Sequence, residues 1–302
     1  MNNPLPNKKL VARSFGNAAA QYDDVAVLQR QTGDELLERL SLVTLQPETV
    51  LDLGVGTGRN LTLLAKKYPK AKLVAVDIAT DMIRQARSNY QQARGLKRWL
   101  PNATKPMYLA GDAENLPLAD NSVDLVFANL TLQWCDPRTS FAEIQRVLRP
   151  NGLLMFTSLG PDTLTELRQA WASVDNYSHV NMFYDMHDVG EAMMEARLAE
   201  PVLDTDIYTL TYETSMALMK DLKVLGASNV NSDRRRGLTG KRALEIVAQS
   251  YEQFRNDGLL PATYEVVYGH AWGGQPQFKQ AQQNSDGEVR ISVNQIKGRK
   301  AL

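Results

Sequence analysis

The sequence predicts an α/β protein built around a doubly wound, mostly parallel β-sheet. Two patterns carry that expectation. From residue 49 onward, short apolar runs of strand length alternate with segments of helical period, as parallel strands covered on both faces require. The first of these runs ends in an acid and enters a turn with three glycines in five positions, VLDLGVGTGRN at 50–60. That is how a strand gives way to a helix at the ligand edge of such a sheet.

The elements follow in order. Residues 7–40 read as two helices, with Leu10, Val11, Phe15 and Tyr22, then Val27, Leu28, Leu36 and Leu40, near a 3.6 period. Strands are expected at 49–53, 73–77 (LVAVD), 107–112 (MYLAGD), 122–130 (SVDLVFANL) and 153–159 (LLMFTSL). Helices are expected at 60–68, 80–94 and 141–152, the last stopped by Gly152. Beyond it, 162–172 and 187–198 read as helical and 203–212 as a strand. Residues 214–256 read as a mainly helical insert interrupted near SNVNSDRRRG, and TYEVVYGHAW at 263–272 as a β-branched and aromatic strand. This divides the chain into an N-terminal helical cap (1–45), a main domain (46–272) with a helical lid at about 214–260, and a polar, Gln-rich tail in which VRISV at 289–293 adds a possible strand.

Composition narrows the partners. Lys plus Arg equals Asp plus Glu, at 34 each, so no global field draws the chain to nucleic acid or to a membrane surface. No stretch reaches the roughly 20 apolar residues of a membrane span. The single cysteine, Cys135, rules out an internal disulfide and suits a reducing compartment, so a cytoplasmic location is expected. The N-terminus lacks the apolar core of a secretory signal, and Lys8, Lys9 and Arg13 make only a thin transit-peptide pattern.

The glycine turn comes with partners. Gly54, Gly56 and Gly58 allow positive φ and close approach of a ligand to the backbone, and the helix start behind them offers free N–H groups. The spacing G-x-G-x-G differs from the dinucleotide fingerprint, whose third glycine falls where this chain has Arg59. Asp77 ends the second strand, where an acid can receive both hydroxyls of a ribose. Asp112 ends the third, where it can meet an adenine amine while the Ala113 N–H reaches a ring nitrogen. Helix or turn capping is the plain alternative for each acid. DLGVGTG, VAVDIATDMI, GDAENLPL and VDLVFANLTLQW together resemble the seven-stranded, S-adenosylmethionine-dependent methyltransferases over residues 40–160. The resemblance implies a Rossmann-like sheet of seven strands. It implies that Asp52 and the glycine turn serve the methionine part, Asp77 the ribose, and Asp112 with Ala113 the adenine, flanked by Ile78 and Met82. Asn129 and Leu130 would lie near the sulfonium.

The outer segments resemble something narrower. RSFGNAAAQYD, NLTLQWCDP, YDMHDVGEAM, RRRGLTGKR and LPATYEVVYGHAW are similar to the family that methylates the free carboxylate of a malonyl group on acyl-carrier protein, early in biotin synthesis. A carboxylate is ionised near neutral pH and needs no general base, in keeping with the lack of an acid–base pair or triad. The expected site residues are therefore positioning groups. Tyr22 would close over the cofactor, Gln133 and Trp134 would wall the acceptor pocket, and an arginine from the run Arg234, Arg235, Arg236, Lys241, Arg242 would hold the malonyl end or dock the acidic carrier. A solvated basic loop is the plain alternative for that run.

Other residues have humbler readings. His187 and Glu191, four apart, make too small a set for a metal, so none is expected; Asp185 reads as a helix start, with His187 turned to the pocket. Met182, Met186, Met193 and Met194 would cover the pocket, His270 would be a core or interface histidine, and Cys135 a small buried residue without a cationic neighbour. The same motifs also resemble a mitochondrial assembly factor of respiratory complex I that hydroxylates a protein arginine. A non-catalytic S-adenosylmethionine-binding protein is the rival from another class.

Overall fold

A computed structural model of the chain describes residues 5–95, 105–231, 237 and 239–274. Within them lie seven strands, β1 (Thr49–Leu53), β2 (Lys72–Asp77), β3 (Met107–Ala110), β4 (Val123–Ala128), β5 (Leu148–Leu159), β6 (Ala199–Tyr212) and β7 (Leu260–Trp272), in one sheet of order β3-β2-β1-β4-β5-β7-β6. The pairs β1–β2, β1–β4, β2–β3 and β4–β5 are parallel, and β7 runs antiparallel to both β5 and β6. The strand order reverses between β1 and β4, which places a crevice beyond their carboxyl ends.

Alternation along the strands builds two cores. Val50, Leu125 and Leu153 face one way, against α3 (Val27–Ser41), α4 (Arg59–Lys67), α5 (Thr80–Arg94), α7 (Thr165–Ala172) and α10 (Lys241–Tyr251). Leu51, Val126 and Leu154 face the other way, against α6 (Pro137–Val147) and α8 (Met186–Glu195). Each fully buried leucine contributes about 2 kcal/mol by leaving water.

Several expectations shift. The N-terminal helices are three: α1 (Lys8–Ala18), the single turn α2 (Tyr22–Val25) and α3. The helix expected at 141–152 starts and stops earlier. Asp136 caps it by accepting the Thr139 N–H at 2.9 Å, Pro137 occupies its first turn, and the chain enters β5 at Leu148 because Pro150 cannot continue a helix. The RPNG segment thus belongs to β5, with Asn151 left-handed at φ 62°. In the insert, α9 (Ser215–Val224) and α10 are separate helices, and Tyr251 donates its hydroxyl to the Pro261 carbonyl at 2.8 Å. The methionines do not form one cover: Met193 is fully buried under α8, while Met182 and Met194 are exposed. Burial lowers the pKa of His270, half-buried on β7. The suggested strand at 289–293 lies outside the described residues.

Two residues of the glycine turn act inside the fold. Gly58 is left-handed at φ 84°, and a Cβ there would stand 2.9 Å from that of Ala86 on α5. Its lack of a side chain lets α4 and α5 close on each other. Asp52 is 2% exposed, and burial, reinforced by the charge of Asp77, pushes its carboxyl up to about 8; the Leu61 N–H offsets only part of this.

Two outcomes follow. Gly58→Ala lowers stability by about 2 kcal/mol, read from the urea midpoint, because it combines left-handed strain with overpacking. Between about pH 4 and about pH 8, the folded chain binds one more proton at Asp52 than the unfolded chain, so this group's contribution to stability falls as pH rises. Asp52→Asn therefore flattens the stability profile across that window, and an unchanged slope would show that Asp52 is ionised in the fold.

Candidate active site

The crevice at the strand reversal is a cleft enclosing about 640 Å³, open to solvent on one side. Its floor is the glycine turn. Gly56 is left-handed at φ 51° with nothing within 4 Å of where its Cβ would stand, so the backbone lies bare to a ligand. Gly54, also left-handed, has a different reason: a Cβ there would run into Thr131, whose hydroxyl donates to the Leu53 carbonyl at 3.1 Å. Asp77 orders the turn. Its Oδ2 accepts the Gly56 N–H at 2.9 Å and its Oδ1 the Ala79 N–H at 2.8 Å, leaving a lone pair on each oxygen. Burial raises the Asp77 pKa, while the N–H groups of Ala79, Gly56 and Ile78 oppose the rise.

Sequence-predicted residues Gly54, Gly56, Asp77, Ile78, Met82, Asp112, Ala113, Asn129, Leu130, Tyr22 and Trp134 all line this cleft. Asp52 and Gly58 do not; they act beneath it. Asn129 reaches the cleft, but its amide is committed to structure. Its Oδ1 accepts from Thr32 at 3.0 Å and Thr157 at 2.8 Å, and its Nδ2 donates to the Gln29 carbonyl at 2.9 Å. Leu130 is held left-handed at φ 49°, with its N–H bonded to the Thr157 hydroxyl at 2.8 Å.

The N-terminal helices form the roof, and here the sequence reading missed a residue. Lys8 reaches across to Asp112 Oδ1 at 3.0 Å, Glu114 Oε1 at 2.7 Å and Cys135 Sγ at 3.4 Å. Burial opposes the Lys8 charge, but Cys135, Glu114 and Asp112 outweigh it and raise its pKa. Cys135 thus has a cationic neighbour after all, although burial still pushes its thiol up to about 11. Asp112, Glu114 and Cys135 are spaced as a metal trio would be, and the ammonium sits among them as the cation. Phe15 of α1 meets Trp134 edge to face at 5.4 Å, and Asp23 of α2 takes the Thr57 hydroxyl at 2.6 Å. Tyr22 is thereby set over the cleft, its phenol held well above the usual range by burial and then by Asp77 and Asp23.

A second cavity, enclosing about 840 Å³, shares Phe15, Tyr22, Leu130 and Trp134 with the first. Gln133 lines it, as do Leu222 and Leu225 from α9 and its end. No Lys, Arg, Asp or Glu is among its described lining residues; His179, which the sequence reading passed over, lines it together with Tyr22, Tyr212 and Tyr264. His187 instead is exposed on α8, and Glu191 lies 3.9 Å from Arg138. Lys241 and Arg242 are exposed at the start of α10 and line neither cavity, while Arg234, Arg235 and Arg236 lie outside the described residues. The missed residues sit on irregular segments or are cationic side chains that fold back, and neither leaves a periodic signal.

The first cleft offers the groups that could hold an adenine nucleoside with an amino-acid tail: bare backbone at Gly56, acceptor capacity on Asp77, an apolar wall at Ile78 and Met82, and the Asp112–Ala113 pair. Comparison with known proteins agrees. Residues 51–156 match the family described as "Methyltransferase domain". Among solved structures, a proposed methyltransferase from Bacillus halodurans covers 80% of this chain and 100% of its own at TM-score 0.57 and 18% identity. The [4+2]-cyclase SpnF covers 91% and 100% at TM-score 0.55 and 17% identity, so at this distance the likeness shows the fold alone. Sequence relatives are much nearer. The malonyl-[acyl-carrier protein] O-methyltransferase of Gallionella capsiferriformans is 46% identical over 97% of this chain and 99% of its own length. That of Laribacter hongkongensis is 48% identical over 88% and 89%. With identity of this level over most of both lengths, the chain belongs to the malonyl-[acyl-carrier protein] O-methyltransferase family.

Proposed function

We propose that the protein transfers a methyl group from S-adenosylmethionine to the free carboxylate of a malonyl thioester carried on acyl-carrier protein, an early step of biotin synthesis. The observation that carries this reading is the partition between the two cavities. Phe15, Tyr22, Leu130 and Trp134 border both, so an electrophile in the first and a nucleophile in the second meet at these side chains.

When bound, S-adenosylmethionine supplies an electrophilic methyl group on a sulfonium. The chain's own residues do the rest. Gly56 would receive the amino-acid end, Asp77 the ribose hydroxyls, and Asp112 with Ala113 the adenine, between Ile78 and Met82. Lys8 neutralises Asp112 and Glu114 and pins α1 across the cleft, so the roof closes without leaving buried acids unpaired. In the second cavity a carboxylate exchanges its water shell for apolar walls, which raises its reactivity, while Tyr22 and Trp134 fix its approach. A nucleophile that is already ionised asks for neither a base nor a metal. The run Arg234, Arg235, Arg236 suits the acidic carrier, or the malonyl carboxylate itself, through its bidentate forks. The arginine-hydroxylating reading lacks support of this kind, since the relatives that match nearly the whole chain are named as methyltransferases.

Incubation with methyl-labelled S-adenosylmethionine and malonyl-carrier protein is expected to give base-labile label on the acceptor; absence of label on any malonyl thioester would overturn the reading. Tyr22→Phe is expected to lower kcat about tenfold with cofactor affinity unchanged, measured by turnover and equilibrium binding. Lys8→Met weakens cofactor binding about tenfold by freeing α1 and leaving Asp112 and Glu114 without their cation. Replacing Arg234, Arg235 and Arg236 with alanine lowers carrier-dependent turnover about fivefold or more, and unchanged turnover in a folded variant would remove them from docking.

A further inference from the structure

Part of the polar lining of the second cavity is bonded within it. Asn181 accepts the Val230 N–H at 3.0 Å and donates to the Ser228 carbonyl at 3.3 Å. Asn229 accepts the Asn231 N–H at 3.0 Å and donates to the Ser178 carbonyl at 2.5 Å, and Thr163 donates to the Glu265 carbonyl at 3.1 Å. Three lining atoms stand apart, the first being Gln29 Oε1, buried without a partner. Gln133 is 9% exposed; its Nε2 donates to the Leu130 carbonyl at 2.8 Å, which fixes the amide orientation and leaves Oε1 buried without a partner. His179 places Nε2 2.7 Å from Asp175 Oδ1, and its ring stacks on Trp171 at 3.8 Å with planes 6° apart. A carboxylate only accepts, so Nε2 carries a proton; no hydrogen bond is made at Nδ1 among the described residues, and in the Nε2–H tautomer Nδ1 offers a lone pair.

All three are acceptors in this arrangement. A malonyl thioester cannot satisfy them, because its carboxylate and thioester oxygens are acceptors too. The arm that bears the thioester in acyl-carrier protein and in coenzyme A carries amide N–H donors. His179 also stands where that arm would pass. With Val180 and Phe183 it lines both the second cavity and an outer groove that encloses about 920 Å³ along α7. We infer that the second cavity recognises the acceptor by the amide N–H groups of its pantetheine-type arm, which donate to His179 Nδ1 and Gln133 Oε1. His179 and Gln133 are positioning residues that select amide-bearing thioesters. The inference rests on the malonyl-thioester reading above and adds the recognition element to it. A buried acceptor left unpaired is costly, so an arm lacking the donor is penalised rather than merely unassisted.

The test compares malonyl-pantetheine with the malonyl thioester of a plain alkyl thiol, which has no amide. The whole chain is expected to prefer the first in kcat/KM by about tenfold, mainly through KM. His179→Phe, which keeps the stacked ring, and Gln133→Met, which keeps the shape, each reduce kcat/KM for malonyl-pantetheine about tenfold. His179→Phe leaves the amide-free thioester within about twofold and cofactor binding unchanged, and Gln133→Met, at a residue that also walls the acceptor pocket, costs more on malonyl-pantetheine than on the amide-free thioester. Equal loss on both thioesters, or no preference in the unaltered protein, overturns the inference. Turnover of neither thioester while malonyl-carrier protein is methylated overturns the inference, and turnover of none of the three overturns the reading on which it rests. Should His179→Phe fail to fold, Gln133→Met and the two-substrate comparison decide alone.

Discussion

The Asp77 carboxylate holds the site together. It ends β2, yet it bonds to the Gly56 N–H after β1 and to the Ala79 N–H at the start of α5. One side chain thus ties two strand ends and sets the shape of the bare turn between them. Its burial next to Asp52 makes that position electrostatically crowded. The fold responds by holding Asp52 toward its neutral form and surrounding Asp77 with N–H groups. The N–H groups around Asp77 oppose the rise that burial imposes on it, and its oxygens are left to face both the turn and the cleft.

The N-terminal helices make a second dependence. Nothing in the sheet closes the crevice from above. Lys8, Phe15 and Asp23 attach α1 and α2 to three separate parts of the edge, by an ion pair, an aromatic contact and a hydroxyl bond. These contacts bring Tyr22 to the border of both cavities. The roof therefore builds part of both cavities as well as covering them, and the shared wall of Phe15, Tyr22, Leu130 and Trp134 exists only with the helices in place.

The contrast between the cavities gives them separate tasks. The first is rich in backbone N–H groups and carboxylates, as a nucleoside requires. The second has no Lys, Arg, Asp or Glu among its described lining residues, and its buried unpaired oxygens, on Gln29 and Gln133, are acceptors. SpnF, on the same fold, is named for a cyclisation, which underlines that the sheet edge alone does not choose the reaction.

The sequence by itself determined the strands, the ligand edge and the residues that repeat along it. Apolar runs of period two, helices of period 3.6, glycines and terminal acids are local features, and Asp77, Asp112 and Gly56 stand where they imply. The sequence also carried the family. Tertiary structure decided which glycine faces ligand and which faces a helix, because the difference lies in whether Ala86, Thr131 or open space is opposite. It decided that Asp52 is buried beneath the turn, that Lys8 is paired with residues more than a hundred positions away, and that His179 rather than His187 lines the second cavity. Each of these depends on what a side chain meets across the fold, a distance in space that spacing along the chain does not encode.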